Sequence, residues 1–298
     1  MKITNNHNAP KLVVDMVRQL QSEYSRGDAD ISVTSLIGSP LISILRDQHR
    51  DEIEDDVSDL MLMAYGTAMH KPFEALKEDY IKYQEQRMFI ELDGFVISGQ
   101  FDIIYEDRGK LLLDDIKFTT MSVLKEEPKK EWVRQLNIYK YMVESMIEPK
   151  LKIDGLGIIA MARNAIMIDT VKSRRLTVPV FKKEKVLEYI KKQIAFHKLC
   201  RDPITKIVPE CLPADRWNEP AMYAAMKVGG KKAIKRYLSE DEAEARVEKL
   251  KKDAKKDEDY YVEYRPEINK RCNTCNVSKW CWWWKLDPKD RPDSYEIH

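Results

Sequence analysis

The apolar positions of this chain change their period several times, and each change marks an element. Between Val57 and Tyr83 they recur every three or four residues, which predicts one long helix carrying His70 and Glu74 on the same face. Three strand-like runs follow: 84–92 (QEQRMFIEL), 95–105 (FVISGQFDIIY) and 110–118 (KLLLDDIKF), separated by Asp93-Gly94 and by Glu106-Asp107-Arg108-Gly109. Turns of that length and composition join antiparallel neighbours, so a meander is expected. Helical spacing returns over 130–146 and leads to a buried-looking strand, 153–161. A strand reached through a helical crossover should lie parallel to the meander. Residues 176–180 suit an edge strand, and 183–200 an amphipathic helix. Upstream, ISVTSLIGSPLISILR (31–46) reads as a short strand or turn entering a helix. The expected fold class is α/β, a central mixed sheet flanked by helices.

After Cys200 the pattern breaks up. Pro203, Pro209, Pro213 and Pro220 punctuate a loop-rich stretch; KKAIKRYL then reads as a strand and SEDEAEARVEKLKKDAKK (239–256) as a capped, charged helix. We expect two parts, a core over residues 1–202 with a helical N-terminal region and a small C-terminal module over 203–298. The 298 residues are 43% hydrophobic, enough for one sizeable core. Lys and Arg total 51 against 50 Asp and Glu, so no global field announces a polyanionic partner, and any nucleic-acid surface must be locally segregated. The opening MKITNNHNAPKLVV lacks a secretory h-region, and no apolar run is long enough for a membrane span; the expectation is a cytoplasmic protein with no membrane partner. Five cysteines, odd in number and crowded towards the C-terminus, point to metal ligation rather than a disulfide framework.

The chemistry starts at Asp115 and Lys117. Two apart on a strand, they emerge from one face while Asp114 points to the other; a register shifted by one would exchange the two acids. The preceding hairpin strand carries Asp102. Carboxylates on neighbouring strands can share a hard divalent cation, and a lysine beside them can orient an attacking water and offset charge developing on a phosphate. Taken singly, Asp115 and Lys117 would be a surface ion pair and His70 a hydrogen-bonded core histidine. Their joint occurrence changes the weighting.

The run GQFDIIYEDRGKLLLDDIKFTT closely resembles the Asp, hairpin, (D/E)-x-K core of the PD-(D/E)XK nucleases. Two flanking features resemble the RecB-like branch of that superfamily: Gly66-Thr67-Ala68-Met69-His70 in the upstream helix, and Gln135-Leu136-Asn137-Ile138-Tyr139 as a Gln-x-x-x-Tyr motif downstream. The opening SVTSLIGSP and the tail from Cys211 are similar to those of phage-encoded members. The resemblance implies a restriction-endonuclease-like core. It also implies that His70, Asp102, Asp115 and the carbonyl of Ile116 hold a catalytic Mg²⁺ or Mn²⁺, with Lys117 handling the nucleophilic water. Gln135 and Tyr139 would contact DNA or brace the site. Glu74 is either a secondary ligand or a partner for Lys71 or Lys77.

Cys272-x2-Cys275-x5-Cys281, beside Trp280 and Trp282 to Trp284, has spacing suited to an iron-sulfur cluster or to zinc. It resembles the C-terminal cysteine motif of RecB-like nucleases with an iron-sulfur staple, found in CRISPR-associated exonucleases and AddAB-type helicase-nucleases. That implies a structural [4Fe-4S] cluster, with Zn²⁺ the alternative. In those relatives the fourth ligand precedes the nuclease core; here Cys211 is the choice, with Cys200 as the alternative.

Lys227, Lys231, Lys232, Lys235 and Arg236 surround a Gly229-Gly230 turn and suit a phosphate track, as do Arg163, Arg174 and Arg175 near the end of the sheet; each alone is equally a solvated charge. No sequence-reading motif is present. The expected activity is hydrolysis of DNA phosphodiesters, exonucleolytic, in recombination, replication or repair, in a bacterial or virus-infected cell and with protein partners unspecified. The rivals are a structure-selective or CRISPR-adaptation-type end-processing endonuclease, and a catalytically silent DNA-binding or scaffold protein.

Overall fold

The computed structural model describes residues 2–23, 27–146, 151–202, 204, 209–254, 258–287 and 291, and divides into two compact units, Met1–Glu210 and Cys211–His298. Pro203, Lys255 and Lys256 lie outside the described residues.

The first unit begins with β1 (Lys2–Thr4), α1 (Lys11–Glu23), β2 (Ile31–Ser32), α2 (Val33–Leu36), α3 (Pro40–Gln48), β3 (Glu54–Asp56) and α4 (Val57–Glu74). Pro40 divides the 31–46 segment into two helices because it fits only at a helix start, where its missing N–H costs nothing. The side chain of Asp56 caps α4 by accepting from the Ser58 N–H at 3.0 Å. The meander follows as β4 (Ile81–Leu92), β5 (Phe95–Asp107) and β6 (Lys110–Thr119). The expected helix therefore ends nine residues before Tyr83. Pro72 sits in its last turn, and Tyr83 already lies in a strand opposite Ile104. α5 (Lys130–Met146), β7 (Gly155–Ala162), β8 (Ser173–Val178) and α6 (Lys183–Arg201) complete the unit.

The sheet runs β2-β5-β6-β7-β8, with β4 also on β5. β6 and β7 are parallel, joined through the α5 crossover, and β8 returns antiparallel on β7. Helices cover the sheet, and the core includes Phe101, Ile104, Leu113, Ile116, Leu136, Met142 and Ile158. This is the restriction-endonuclease-like arrangement of a central mixed sheet flanked by helices.

β5 is shared unequally. β4 pairs with it almost end to end, but on its other side β2 meets only Ile97 and Ser98, and β6 only Ile103 to Asp107. Beyond the Ile103–Asp114 rung the two meander strands part, and residues 99–102 face a notch in the ladder.

In the second unit, β9 (Asn218–Glu219), β10 (Met222–Lys227), β11 (Lys235–Tyr237), α7 (Glu240–Lys252), β12 (Tyr260–Arg265), β13 (Ile268–Asn269) and α8 (Trp282–Lys285) form two small sheets, β11-β10-β12 and β9-β13. The expected strand at KKAIKRYL shrinks to Lys235–Tyr237, and β10 and β12 are additions the sequence pattern missed. α7 packs on this sheet through Val247, against Ala225 and Tyr260.

Candidate active site and cysteine module

Asp102 lies at the notch. With no β6 rung to engage, its Oδ2 accepts from the Ile116 N–H at 2.6 Å, spanning the gap between the parted strands. Across the gap, Lys117 Nζ stands 2.6 Å from Asp115 Oδ2. That buried oxygen has no aligned hydrogen bond. Asp114, one residue earlier, faces the opposite way, where Arg175 clamps it with two bonds of 2.6 and 2.7 Å and the Tyr105 hydroxyl donates a third at 2.9 Å. Burial, then the Asp114 charge, raises the Tyr105 phenol to about 12. The strand alternation thus gives the adjacent acids separate environments, and Arg175 is committed to Asp114. Arg174 donates to the Leu124 carbonyl.

His70 comes in from α4. Its Nδ1 lies 3.1 Å from Glu85 and 3.8 Å from Asp102. Glu85 belongs to β4, and Gln100 donates to its other oxygen at 2.8 Å. One donor atom each from His70, Glu85 and Asp102 lies within 4.8 Å of the others, and among the described residues no other such trio of His, Cys, Asp or Glu exists. Glu85 was missed in the sequence, although a signal existed. Counting back from the Asp93-Gly94 turn along both strands places it opposite Asp102, between the Gln84–Ile103 and Gln86–Phe101 pairs. Its φ of +46° is a left-handed conformation uncommon for a non-glycine residue. Glu74, the other acid considered, pairs instead with Lys71 at 3.0 Å.

The electrostatics are those of crowded acids. Burial, and next the charge of Asp115, push Asp102 up to about 7. His70 is held above its ordinary value by the Glu85 hydrogen bond, against burial. For Lys117 burial opposes the charge, but Asp115 and Asp102 outweigh it and keep the ammonium above its usual pKa. α5 supplies Gln135 and Tyr139, both buried, with the Gln135 amide donating to the Tyr139 hydroxyl at 2.9 Å. Burial raises the Tyr139 phenol, and the charges of Asp115 and Asp102 add to that effect. The ring fits over Gly99, where any Cβ would lie 2.9 Å from it. Of the implied set, His70 and Asp102 come together with Glu85, Asp115 pairs with Lys117 close enough for its charge to act on Asp102, and Tyr139 lies over Gly99. Gln135 joins through Tyr139, and Ile116 through its N–H.

Two carboxylates and an imidazole within 4.8 Å of one another, with a buried Asp115 oxygen lacking an aligned partner nearby, form a donor set that fits a hard divalent ion. A family model described as the PD-(D/E)XK nuclease superfamily matches residues 41–282, and the chain belongs to that superfamily of metal-dependent phosphodiester hydrolases. No curated protein sequence is detectably similar. Among solved structures, the chain is similar to that of SSO0001 (17% identity, TM-score 0.43, covering 62% of this chain and 84% of that one). It is also similar to a candidate exonuclease from Eubacterium rectale (12% identity, TM-score 0.33, covering 75% and 82%). Among the described residues no helix is long and apolar enough to cross a membrane.

In the second unit, burial first, then the neighbouring Cys275 and Cys281, raise the Cys272 thiol. Arg216, nearly inaccessible, donates to the Cys211 carbonyl at 2.5 Å and to Asn269 at 3.1 Å while its guanidinium lies 4.0 Å from the centre of the Trp283 ring. It thereby joins the Cys211 loop to the tryptophan tail that follows Cys281. Cys200, the alternative fourth ligand, is buried at the end of α6 in the first unit. The basic residues around Gly229-Gly230 divide: Lys227 pairs with Glu258 at 2.7 Å, and Lys235 lies over Tyr237, whereas Lys231, Lys232 and Arg236 are exposed on the same hairpin.

Proposed function

We propose that this chain is a Mg²⁺- or Mn²⁺-dependent DNA exonuclease of the RecB-like branch, acting in recombination, replication or repair. The observation that carries the reading is the convergence of His70, Glu85 and Asp102 on the notch where β5 and β6 part, with Asp115 and Lys117 along its edge. The bound ion would be held by Asp102, Asp115, His70 and the Ile116 carbonyl, with Glu85 as a further donor, and would supply Lewis acidity and an acidified water. Lys117, which stands 2.6 Å from Asp115 and in the field of Asp102, would orient the attacking water and offset charge on the phosphate once those acids hold the ion. Tyr139, braced by Gln135, lies over Gly99 of the strand that carries Asp102. The exonucleolytic choice rests on the His70 helix and the Gln135-x-x-x-Tyr139 motif together.

The test is digestion of end-labelled linear DNA, single- and double-stranded, beside a covalently closed circle, with Mg²⁺, Mn²⁺ or EDTA. We expect ion-dependent release from ends, spared circles, and loss of about 10²-fold or more in Lys117→Ala. Cleaved circles would move the assignment to an end-processing or structure-selective endonuclease; binding without cleavage, to a silent scaffold. Glu85→Gln should raise the concentration of Mn²⁺ needed for half-maximal rate, whereas Glu74→Gln should not.

For the C-terminal module we propose a structural [4Fe-4S] cluster on Cys211, Cys272, Cys275 and Cys281, supported by the Cys-x2-Cys-x5-Cys spacing and by Arg216 joining the Cys211 carbonyl to the Trp283 ring; among the described residues no three of these thiols lie within 4.8 Å of one another, so binding would draw them together. Visible absorption from protein purified anaerobically, lost in Cys275→Ser, is expected; colourless protein with stoichiometric zinc would replace iron by zinc. Lys231, Lys232, Lys235 and Arg236 are proposed to follow the DNA backbone without reading sequence.

A further inference from the structure

The back of α5 carries a feature the nuclease chemistry does not use. Gln135 and Tyr139 face the acids, but Lys130, Val133, Arg134 and Ile138 point elsewhere and, with Phe181, Lys185, Val186 and Tyr189 of the α6 segment, line a cavity of about 430 Å³. The walls and floor are largely apolar, with Ile138 and Val186 both belonging to the buried core. The rim is cationic. Arg134 lies over the Tyr189 ring at 5.5 Å and Lys185 over Phe181 at 4.9 Å, so both charges are laid along the mouth rather than pointing free. Among the described residues no acidic side chain lines the cavity. Glu131 of α5 adds instead to the field on Lys117 on the catalytic side.

The chemistry of the lining selects the occupant. A nucleobase would need a polar group to read its edge, yet Asn137, the amide in the lining, already commits both Nδ2 hydrogens and one Oδ1 lone pair to the protein. Its Nδ2 donates to the Val133 and Pro179 carbonyls at 2.8 and 2.9 Å, and its Oδ1 accepts from the Phe181 N–H at 2.7 Å. What remains is an apolar hole ringed by positive charge, complementary to a bulky apolar side chain flanked by carboxylates. We propose that this cavity docks an acidic peptide segment of a partner protein, burying one aromatic or large aliphatic side chain between α5 and α6. The partner would hold the enzyme by the reverse face of the helix that braces the active site, leaving the notch open to substrate.

The test uses the full chain and fluorescence anisotropy. The probe is a labelled short peptide of Asp and Glu around a single central Phe. Controls replace that Phe by Ser or the acids by Lys. We expect binding of the first peptide only, weakened about tenfold or more by either control change and by Arg134→Glu or Lys185→Glu. Both substitutions are at exposed positions outside the nuclease machinery, so digestion of DNA should proceed at the wild-type rate. If one fails to fold, Lys130→Glu and the salt dependence of wild-type binding serve the same purpose. Absence of binding, or binding indifferent to the Phe or to the three cations, overturns the proposal. So does displacement of the peptide by a single-stranded oligonucleotide whose own binding the same variants weaken, which would make the cavity a nucleic-acid contact.

Discussion

Asp102→Asn should make the metal-free protein more stable while destroying its activity. The wild-type carboxyl, 9% exposed and near the Asp115 charge, has its pKa raised from 3.8 to about 7. A group whose pKa is higher folded than unfolded favours folding below its unfolded value and loses that contribution as pH rises through the folded one. At about 1.4 kcal/mol per tenfold in proton affinity, the ionised pair costs the fold about 4 kcal/mol at pH 8, of which about 3 kcal/mol accrues between pH 5 and pH 8. Asparagine retains an oxygen for the Ile116 N–H and carries no charge, so most of that cost disappears. The measurement is urea denaturation in EDTA at both pH values, comparing variant with wild type at each. The comparison cancels His197, whose burial lowers its pKa to about 4 and whose stability contribution fades, in both proteins, as pH falls below its ordinary value. Added Mn²⁺ should raise wild-type stability at pH 8 and leave the variant unmoved. Equal stabilities of the two proteins at pH 8 without metal would refute the crowded-acid account.

Arg175→Ala should remove the clamp on the fully buried Asp114 and cost about 3–5 kcal/mol in denaturant, while folded protein keeps its specific activity at saturating Mn²⁺. Gly99→Ala adds a methyl 2.9 Å from Tyr139, 3.1 Å from Val33 and 3.2 Å from the Met142 sulfur; about 1–3 kcal/mol of stability and a clear fraction of the cleavage rate should be lost together. Gly109→Ala, at φ +72° with open space around it, should cost stability through backbone strain alone and leave cleavage unaltered.

The meander was legible because its two turns carry the residues that turns demand and its strands alternate in period two. The separation of Asp114 from Asp115 followed from that alternation alone. The end of α4 was not legible. Apolar residues such as Leu76, Tyr80 and Tyr83 prolong the helical spacing past Pro72, although Leu76 and Tyr80 are exposed and Tyr83 is in a strand. Glu85 was hidden within the polar run QEQR, which resembles a solvated strand face until the register sets it against Asp102. β10, with sequence MYAAMK, has good helix formers, and only pairing with β11 and β12 makes it a strand. Arg175 read as a free cation because the acid it serves is sixty-one residues away in sequence.

The unequal sharing of β5 has a consequence for how such a site can vary. The opening is bounded by main-chain rungs, with Ser98 held to β2 and Ile103 to β6, so its position follows from topology and requires none of the donor side chains except Asp102. An acid lengthened or shortened by one carbon changes how far an oxygen reaches into the aperture, yet the frame that carries it stays put, and chemistry can drift there at little expense to architecture.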